Sequence, residues 1–104
     1  MARPVSSSGS DPRLLRLAEG DNVLIVTAPI ASGEHLLVAG KPVEASATLA
    51  LGFKVAADDL DEGTVALRYG MPIGRTTASV RRGELIHTHN LESLYMRTHA
   101  RGEA

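Results

Sequence analysis

The sequence predicts a small domain built mainly from β-strands. Its apolar runs are short, and turn-forming residues separate them so often that few helices of ordinary length can fit. The length of 104 residues, of which 43% are hydrophobic and 22% charged, is typical of one folded domain. Only Phe53, Tyr69 and Tyr95 are aromatic, so the core must be modest and made of Val, Leu, Ile and Ala.

Individual elements follow from the same signals. Six segments have the composition of strands, namely residues 22–28, 34–39, 48–56, 64–69, 76–80 and 84–88. Two segments are predicted as short helices, 12–19 and 91–97, the first with Asp11 as its N-cap before Pro12. We expect the folded domain over residues 13–92, between a flexible N-terminal tail at 1–12 and a C-terminal tail at 93–104.

A weak internal pattern supports a fold of turns and strands. An apolar residue, two variable residues and a glycine precede three predicted strands, at residues 30–34, 60–64 and 80–84. Glycine accepts a positive φ that other residues resist, so each copy predicts a sharp turn into a new strand. Three glycine turns that arose independently would explain the pattern equally well.

Composition excludes several classes of function. The net charge is −1 and the basic residues are scattered among acids, so we expect no nucleic-acid partner. The absence of cysteine excludes disulfides, thiolate nucleophiles and thiolate metal sites. The first ten residues lack the apolar core of a signal peptide, and no apolar run approaches the ~18 residues of a membrane span. We therefore expect a cytoplasmic protein without a membrane partner.

The most informative motif is His87-Thr88-His89-Asn90, which follows an apolar pair at the end of a predicted strand. Strand alternation would place His87 and His89 on one face and Thr88 on the other. Two imidazoles on one face can bind a divalent metal, act as general acid and base, or hold a carboxylate when charged. A pair of solvent-exposed histidines beside a turn is the competing interpretation.

Other candidates have weaker signals. Lys54 has the charge to meet a substrate carboxylate, and Gly52 allows close approach to the backbone, although a strand with one surface lysine explains the segment as well. Residues 69–75 are predicted as a rigid structural excursion between strands. Four neighbouring acids are expected to form a solvated turn: Asp58, Asp59, Asp61 and Glu62. No nucleophile has a supporting base at a suitable spacing, so a self-sufficient enzyme is not predicted.

Taken in order, several pieces of the chain resemble the SAF domain of the altronate and galactarate dehydratases. The matching pieces are residues 51–56, 60–63, 69–78 and 82–91, and the resemblance extends more loosely back to residue 21. It implies a small β-clip fold, related to type III antifreeze protein and to the carboxy-terminal domain of sialic acid synthase. The resemblance leaves both termini uncovered.

The resemblance also implies a partner. In this family the SAF domain lies against a much larger catalytic domain, which carries a divalent metal, commonly iron, and most of the dehydration machinery. Separate small subunits occur in the similar sulfolactate sulfo-lyases. Since only 14 residues follow Asn90, we expect the large part to be another polypeptide.

On this basis the resemblance implies roles for single residues. His87 or His89 would assist proton transfer or complete the metal and substrate shell, while four others would contact the substrate: Lys54, Asn90, Gly52 and Thr88. Phe53 departs from the family, which often has His there, and this leaves the substrate open. The predicted function is an accessory subunit of a sugar-acid hydro-lyase, inactive alone. The alternatives are a non-catalytic module that binds a sugar acid or a protein, and a structural β-clip that assembles with itself.

Overall fold

The computed structural model describes residues 9–93, which contain nine short strands and no helix. The strands are β1 (Leu14–Leu15), β2 (Val23–Val26), β3 (His35–Val38), β4 (Lys41–Glu44), β5 (Lys54–Ala56), β6 (Val65–Arg68), β7 (Met71–Thr76), β8 (Leu85–Ile86) and β9 (Leu91–Ser93). This confirms the predicted all-β class and agrees with a small β-clip domain.

The strands form three antiparallel sheets. The central sheet has the order β1-β2-β5-β8, and a β3-β4 hairpin and a β6-β7-β9 sheet accompany it. Because successive side chains of a strand point to opposite faces, the central strands β2 and β5 contribute side chains to two separate cores. Leu24 and Val55 belong to one core, whereas Val23 and Ala56 belong to the other.

These two cores hold the buried apolar side chains of the domain. The first cluster is Leu14, Leu24, Val26, Ile30, Leu36, Val38, Ala45, Leu49, Val55 and Ala57. The second cluster is Val23, Ala56, Leu60, Ala66, Val80 and Ile86. Neither cluster is large, and the central sheet stabilises both because it contributes side chains to each.

The predicted glycine pattern is confirmed as a recurring turn. At 30–34, 60–64 and 80–84 the glycine has a φ of +91°, +90° and +82°, and the N–H of the last residue donates to the carbonyl of the second. The structure shows the same turn at 17–21 and 49–53. We call these five segments the glycine turns. Their apolar first residues pair across the molecule, Ile30 with Leu49 and Leu60 with Val80.

Two hairpins have a different turn. Ala39-Gly40 joins β3 to β4 and Tyr69-Gly70 joins β6 to β7, and all four residues have positive φ. This is the geometry of a two-residue type I′ turn, which matches the twist of the flanking strands. The prediction for residues 69–75 was therefore wrong: the segment is a hairpin turn followed by most of β7.

Asp21 and Asn22 connect the central sheet to the β6–β7 hairpin. The buried Asp21 carboxylate accepts the N–H groups of Tyr69 and Gly70 at 2.7 and 2.8 Å. The Asn22 amide donates to the carbonyl of Val65 and accepts the N–H of Leu67. Two adjacent side chains thus hold both the turn and the outer strand of this hairpin.

The helix predicted at 12–19 is absent, because β1 occupies the middle of that segment. The Asp11 side chain accepts the N–H of Arg13, its neighbour but one, so it organises a local turn and does not cap a helix. The second predicted helix begins at Leu91, which instead starts β9. Residues 94–97 of that prediction lie outside the described residues.

Strand predictions differ where glycine turns take the apolar residues. In the predicted strand 48–56 only Lys54–Ala56 is extended, and in 76–80 only Thr76 belongs to a strand. Leu49 and Val80 are buried through single bridges as first residues of turns. Strand β4 was missed because Lys41, Pro42 and Glu44 give it a polar, turn-like composition.

The ends of the sequence, 1–8 and 94–104, lie outside the described residues, as does most of each predicted tail. Between residues 9 and 93 the chain forms no helix of the length and apolar character that a membrane span requires.

Candidate functional site: a histidine turn at the end of the central sheet

The histidine motif forms a turn and not the end of a strand. Strand β8 stops at Ile86, and the N–H of Asn90 donates to the carbonyl of His87 at 3.0 Å. We call His87–Asn90 the His turn. The prediction that alternation sets His87 and His89 on one face was therefore wrong, since these residues are not extended. His87, Thr88 and His89 are nevertheless all exposed.

Asn90 holds this turn from inside. Its side chain is buried, its Oδ1 accepts the N–H of His87 at 2.9 Å, and its Nδ2 donates to the carbonyl of Leu85 at 2.9 Å. Its own carbonyl accepts the N–H of Thr77 at 3.0 Å, which connects the turn to the end of β7. Both polar atoms of the amide have protein partners, so the backbone of His87 is fixed.

The ring of His87 has two neighbours. Thr88 Oγ1 lies 3.2 Å from Nδ1, and the ring of Phe53 lies at a centroid distance of 6.5 Å with a 45° tilt. Such a tilted contact is a favourable arrangement of two rings. The prediction that Thr88 points away from the histidines was wrong, because its hydroxyl contacts one of them.

Lys54 is close to the His turn along the backbone. It starts β5 and is the register partner of Ile86, the residue before His87. Phe53 packs against the first cluster, and alternation directs the Lys54 side chain to the face of the second. Lys54 and the His87 ring therefore leave the same end of the sheet on different faces. The Lys54 ammonium group forms no hydrogen bond or ion pair with the described residues.

Gly52 belongs to the glycine turn at 49–53. Its φ is +89°, its N–H donates to the carbonyl of Val26 at 2.7 Å, and the space beside its Cα is open. The turn brings Phe53 and Lys54 into position at the start of β5. Its glycine is explained by the backbone conformation alone.

No set of metal ligands is assembled on residues 9–93, where no three His, Asp or Glu side chains lie close enough to hold an ion. Two of the acids near residue 60 have structural partners: Asp58 pairs with the Arg82 guanidinium at 2.8 Å, and Asp59 accepts the Arg82 N–H. The Arg82 guanidinium also donates to three backbone carbonyls, those of Val38, Ala39 and Ala57.

A second charged cluster lies near the start of the described chain. Arg13 donates hydrogen bonds to Asp11 and Glu34, and these bonds hold the pKa of each carboxyl below its usual range. The arrangement connects the first turn to the glycine turn at 30–34 and is structural. Sequence reasoning missed it because Arg13 and Glu34 are far apart in the chain.

A groove with a volume of about 390 Å³ lies between β4 and the glycine turn at 80–84. Its lining residues are Val43, Glu44, Ser46, Arg81, Arg82, Gly83 and Glu84. The N–H of Ala56 donates to the carbonyl of Glu84, so the groove is at the opposite end of the β5–β8 pair from the His turn. No single segment of the sequence predicts it.

Comparisons with known proteins agree with this architecture. The family model described as the altronate/galactarate dehydratase SAF domain matches residues 12–94. The chain is 32% identical over 79 residues to altronate dehydratase of Bacillus subtilis and 34% identical over 70 residues to altronate dehydratase of Escherichia coli. These alignments cover 76% and 67% of this chain, but only 16% and 14% of the two dehydratases.

A third relative is itself a small protein. The chain is 36% identical over 50 residues to the (2R)-sulfolactate sulfo-lyase subunit alpha of Chromohalobacter salexigens. The alignment covers 48% of this chain and 53% of that subunit. The chain therefore spans a small fraction of the two dehydratases and about half of this lyase subunit.

Proposed function

Because the chain belongs to the altronate/galactarate dehydratase SAF domain family, we propose that it is the small accessory subunit of a sugar-acid hydro-lyase. The substrate would be a polyhydroxy carboxylate that loses water. A separate large subunit would hold most of the active site, and this chain would complete it. The His turn, exposed at the end of the central sheet and held by the buried Asn90, carries the proposal.

The three relatives support the proposed division of the enzyme into a small accessory subunit and a large catalytic subunit. The two altronate dehydratases are several times longer than the part that this chain matches, which leaves room in each for a large catalytic portion. The sulfolactate relative is named as subunit alpha of a lyase. A SAF domain can thus occur within a long dehydratase or within one subunit of a lyase.

Within the proposed enzyme, the His turn would accept and donate protons as a general base and acid. Imidazole is the side chain best suited to exchange protons near neutral pH, and two exposed imidazoles are separated by a single residue in the sequence. Lys54 would attract the substrate carboxylate from the other face of the sheet, at the same end as the His turn. Gly52 would leave room for the substrate beside the glycine turn.

We also propose that the divalent metal, iron by family resemblance, is held mainly by the large subunit. The described chain has no three-ligand set of its own, so His87 and His89 could add at most one or two ligands to ions bound elsewhere. When bound, such a metal would polarise the hydroxy acid. This chain would supply a proton acceptor and would orient the substrate.

A non-catalytic binding module is the second candidate. It is favoured by one observation, namely that the described residues assemble no metal site of their own. In that case the His turn and Lys54 would hold a sugar acid or a partner protein without any reaction.

Reconstitution with the large subunit tests the proposal. The full chain should co-purify with a large lyase subunit, and the complex should dehydrate altronate or galactarate while neither part does so alone. His87→Ala and His89→Ala should each lower turnover by about 100-fold, which is the usual loss for a general acid or base. Both residues are exposed, so the free energy of unfolding should change by less than about 0.5 kcal/mol.

His35→Ala is the matched control, since His35 is also exposed but lies on the β3–β4 hairpin near Glu44. It should leave turnover unchanged. If the complex kept full activity with both His87 and His89 replaced, the binding module would become the better explanation.

A further inference from the structure

The His turn uses a hydrogen-bond arrangement that occurs three more times within residues 9–93. In the glycine turns at 17–21, 30–34 and 80–84, the last residue is a carboxylate that accepts the N–H of the second residue. In each, the N–H of that last residue also donates back to the carbonyl of the second. Asn90 makes the same two bonds with His87. The His turn is therefore a variant of the glycine turn.

Two substitutions distinguish this variant. His89 occupies the place of the glycine, and its φ is not positive, so the backbone there takes a conformation that a side chain accepts readily. An exposed imidazole thus stands where the other turns have no side chain. The second change is an amide in place of Asp or Glu at the last position.

The amide has a physical reason. Asn90 Nδ2 donates to the carbonyl of Leu85 at 2.9 Å, and a carboxylate would set an oxygen against that carbonyl oxygen. The amide also keeps negative charge from the base of the turn, where it would repel an anionic substrate. Asn90 therefore fixes the backbone of His87 without adding a negative charge that would repel the carboxylate of a sugar acid.

The ring of His87 is restricted as well. The Thr88 hydroxyl lies 3.2 Å from Nδ1, and the Phe53 ring lies at a centroid distance of 6.5 Å with a 45° tilt. With Nδ1 engaged, Nε2 is the nitrogen left to meet a ligand. The hydroxyl can donate to Nδ1 or accept from it, and the direction of this bond fixes whether Nε2 carries the proton or accepts one.

On the premise of the proposed function, we propose that Asn90 and Thr88 are positioning residues for His87 and do not bind the substrate. Asn90 fixes the backbone of the turn, and Thr88 sets the ring and its tautomer so that Nε2 faces the substrate. This replaces the substrate-binding roles that the family resemblance implies for both residues.

The first test uses nuclear magnetic resonance on the full chain. Thr88→Val keeps the shape of the side chain and removes the hydroxyl, so it should change the imidazole ¹⁵N signals and tautomer ratio of His87 but leave those of His89 unaltered. Thr48→Val, at an exposed threonine of another segment, is the control and should alter neither histidine. Unchanged His87 signals in Thr88→Val would overturn the role of Thr88.

Asn90 is tested through the N–H of His87. Asn90→Ala should speed exchange of that N–H with solvent by about tenfold or more, because the exposed turn loses the acceptor that protects it. Asn90→Asp keeps an acceptor, so exchange should stay slow. Slow exchange in Asn90→Ala with the chain still folded would overturn the role. If Asn90→Ala does not fold, Asn90→Ser, with too short a side chain to reach the N–H, replaces it under the same criterion.

Kinetics of the reconstituted complex complete the test. Thr88→Val should lower kcat by about tenfold with KM within about twofold, because a misplaced proton acceptor slows the reaction without loosening the substrate. Asn90→Asp should instead raise KM for the anionic substrate. A raised KM with normal kcat in Thr88→Val would show instead that Thr88 contacts the substrate. If His87→Ala left turnover intact, the proposed function would fail while the spectroscopic results on Thr88 and Asn90 would stand.

Discussion

Asp21 concentrates several backbone bonds on one buried carboxylate. It is 2% exposed and accepts the N–H groups of Ala18, Tyr69 and Gly70. An anion is well suited to this position, because hydrogen bonds to a charged acceptor are stronger than those to a neutral one. A single side chain thus joins a glycine turn to a hairpin almost fifty residues away.

We predict that Asp21→Asn destabilises the domain by about 2 to 3 kcal/mol, since one oxygen becomes an NH₂ group that opposes the backbone donors. Chemical denaturation would measure the free energy of unfolding. Asp61→Asn is the matched control: Asp61 is exposed and contributes its backbone carbonyl to Thr64 and Thr76, so the change should stay within about 0.5 kcal/mol. Equal losses in the two variants would contradict the role given to Asp21.

At the scale of single elements, the glycine turns differ in what surrounds them. Gly63 and Gly83 have similar positive φ values, +90° and +82°. A methyl group on Gly63 would meet open space, whereas one on Gly83 would come within 2.7 Å of Val43 Cγ1. The turn at 80–84 is therefore packed against β4, and the turn at 60–64 has no such neighbour at its glycine.

This difference gives a paired prediction. Gly63→Ala should cost about 1 kcal/mol, the strain of a side chain at positive φ. Gly83→Ala should cost about 1 to 3 kcal/mol more, because Val43 must also move. Thermal unfolding of the two variants under identical conditions would compare them. A smaller loss for Gly83→Ala than for Gly63→Ala would show that β4 does not pack tightly on this turn.

The elements also show what a sequence can and cannot reveal. The glycine pattern at 30–34, 60–64 and 80–84 was predictable, because positive φ has a direct residue preference. The turn at 49–53 was hidden by its apolar Leu51, which suggested a continuous strand. Strand β7 was hidden by Pro72 and Gly74, although Gly74 is needed because a Cβ there would lie 2.6 Å from the carbonyl oxygen of Glu92.

For the molecule as a whole, the arrangement of two clusters about one sheet has a thermodynamic consequence. Strands β2 and β5 give alternate side chains to the first and second clusters, so neither core can lose its packing while the other keeps an intact sheet. We predict a single cooperative unfolding transition.

Methyl signals of Leu36, in the first cluster, and Ala66, in the second, would report the two cores separately during urea denaturation. Their midpoints should coincide. Midpoints that differed beyond experimental error would mean that one core unfolds first, and the sheet would then not couple them.

The geometry of the candidate site could not be predicted from its sequence motif. The His87 to Asn90 motif located a turn that is exposed at three of its four residues, but strand alternation does not apply to it because the strand ends at Ile86. The ring contact between Phe53 and His87 depends on how β5 pairs with β8. Such long-range pairing leaves no local trace in the sequence.

The Asn22 side chain closes the outer edge of β6, because it fills a donor and an acceptor that another strand would otherwise use. The Asn90 side chain donates to the carbonyl of Leu85, which points to the open edge of β8. Pro42 on β4 has no N–H that could pair with another strand. At these three strands the protein resists recruitment into a foreign sheet. Any protein that binds at these edges would therefore contact side chains and turns, which favours a reversible, selective association over the templated growth that leads to aggregates.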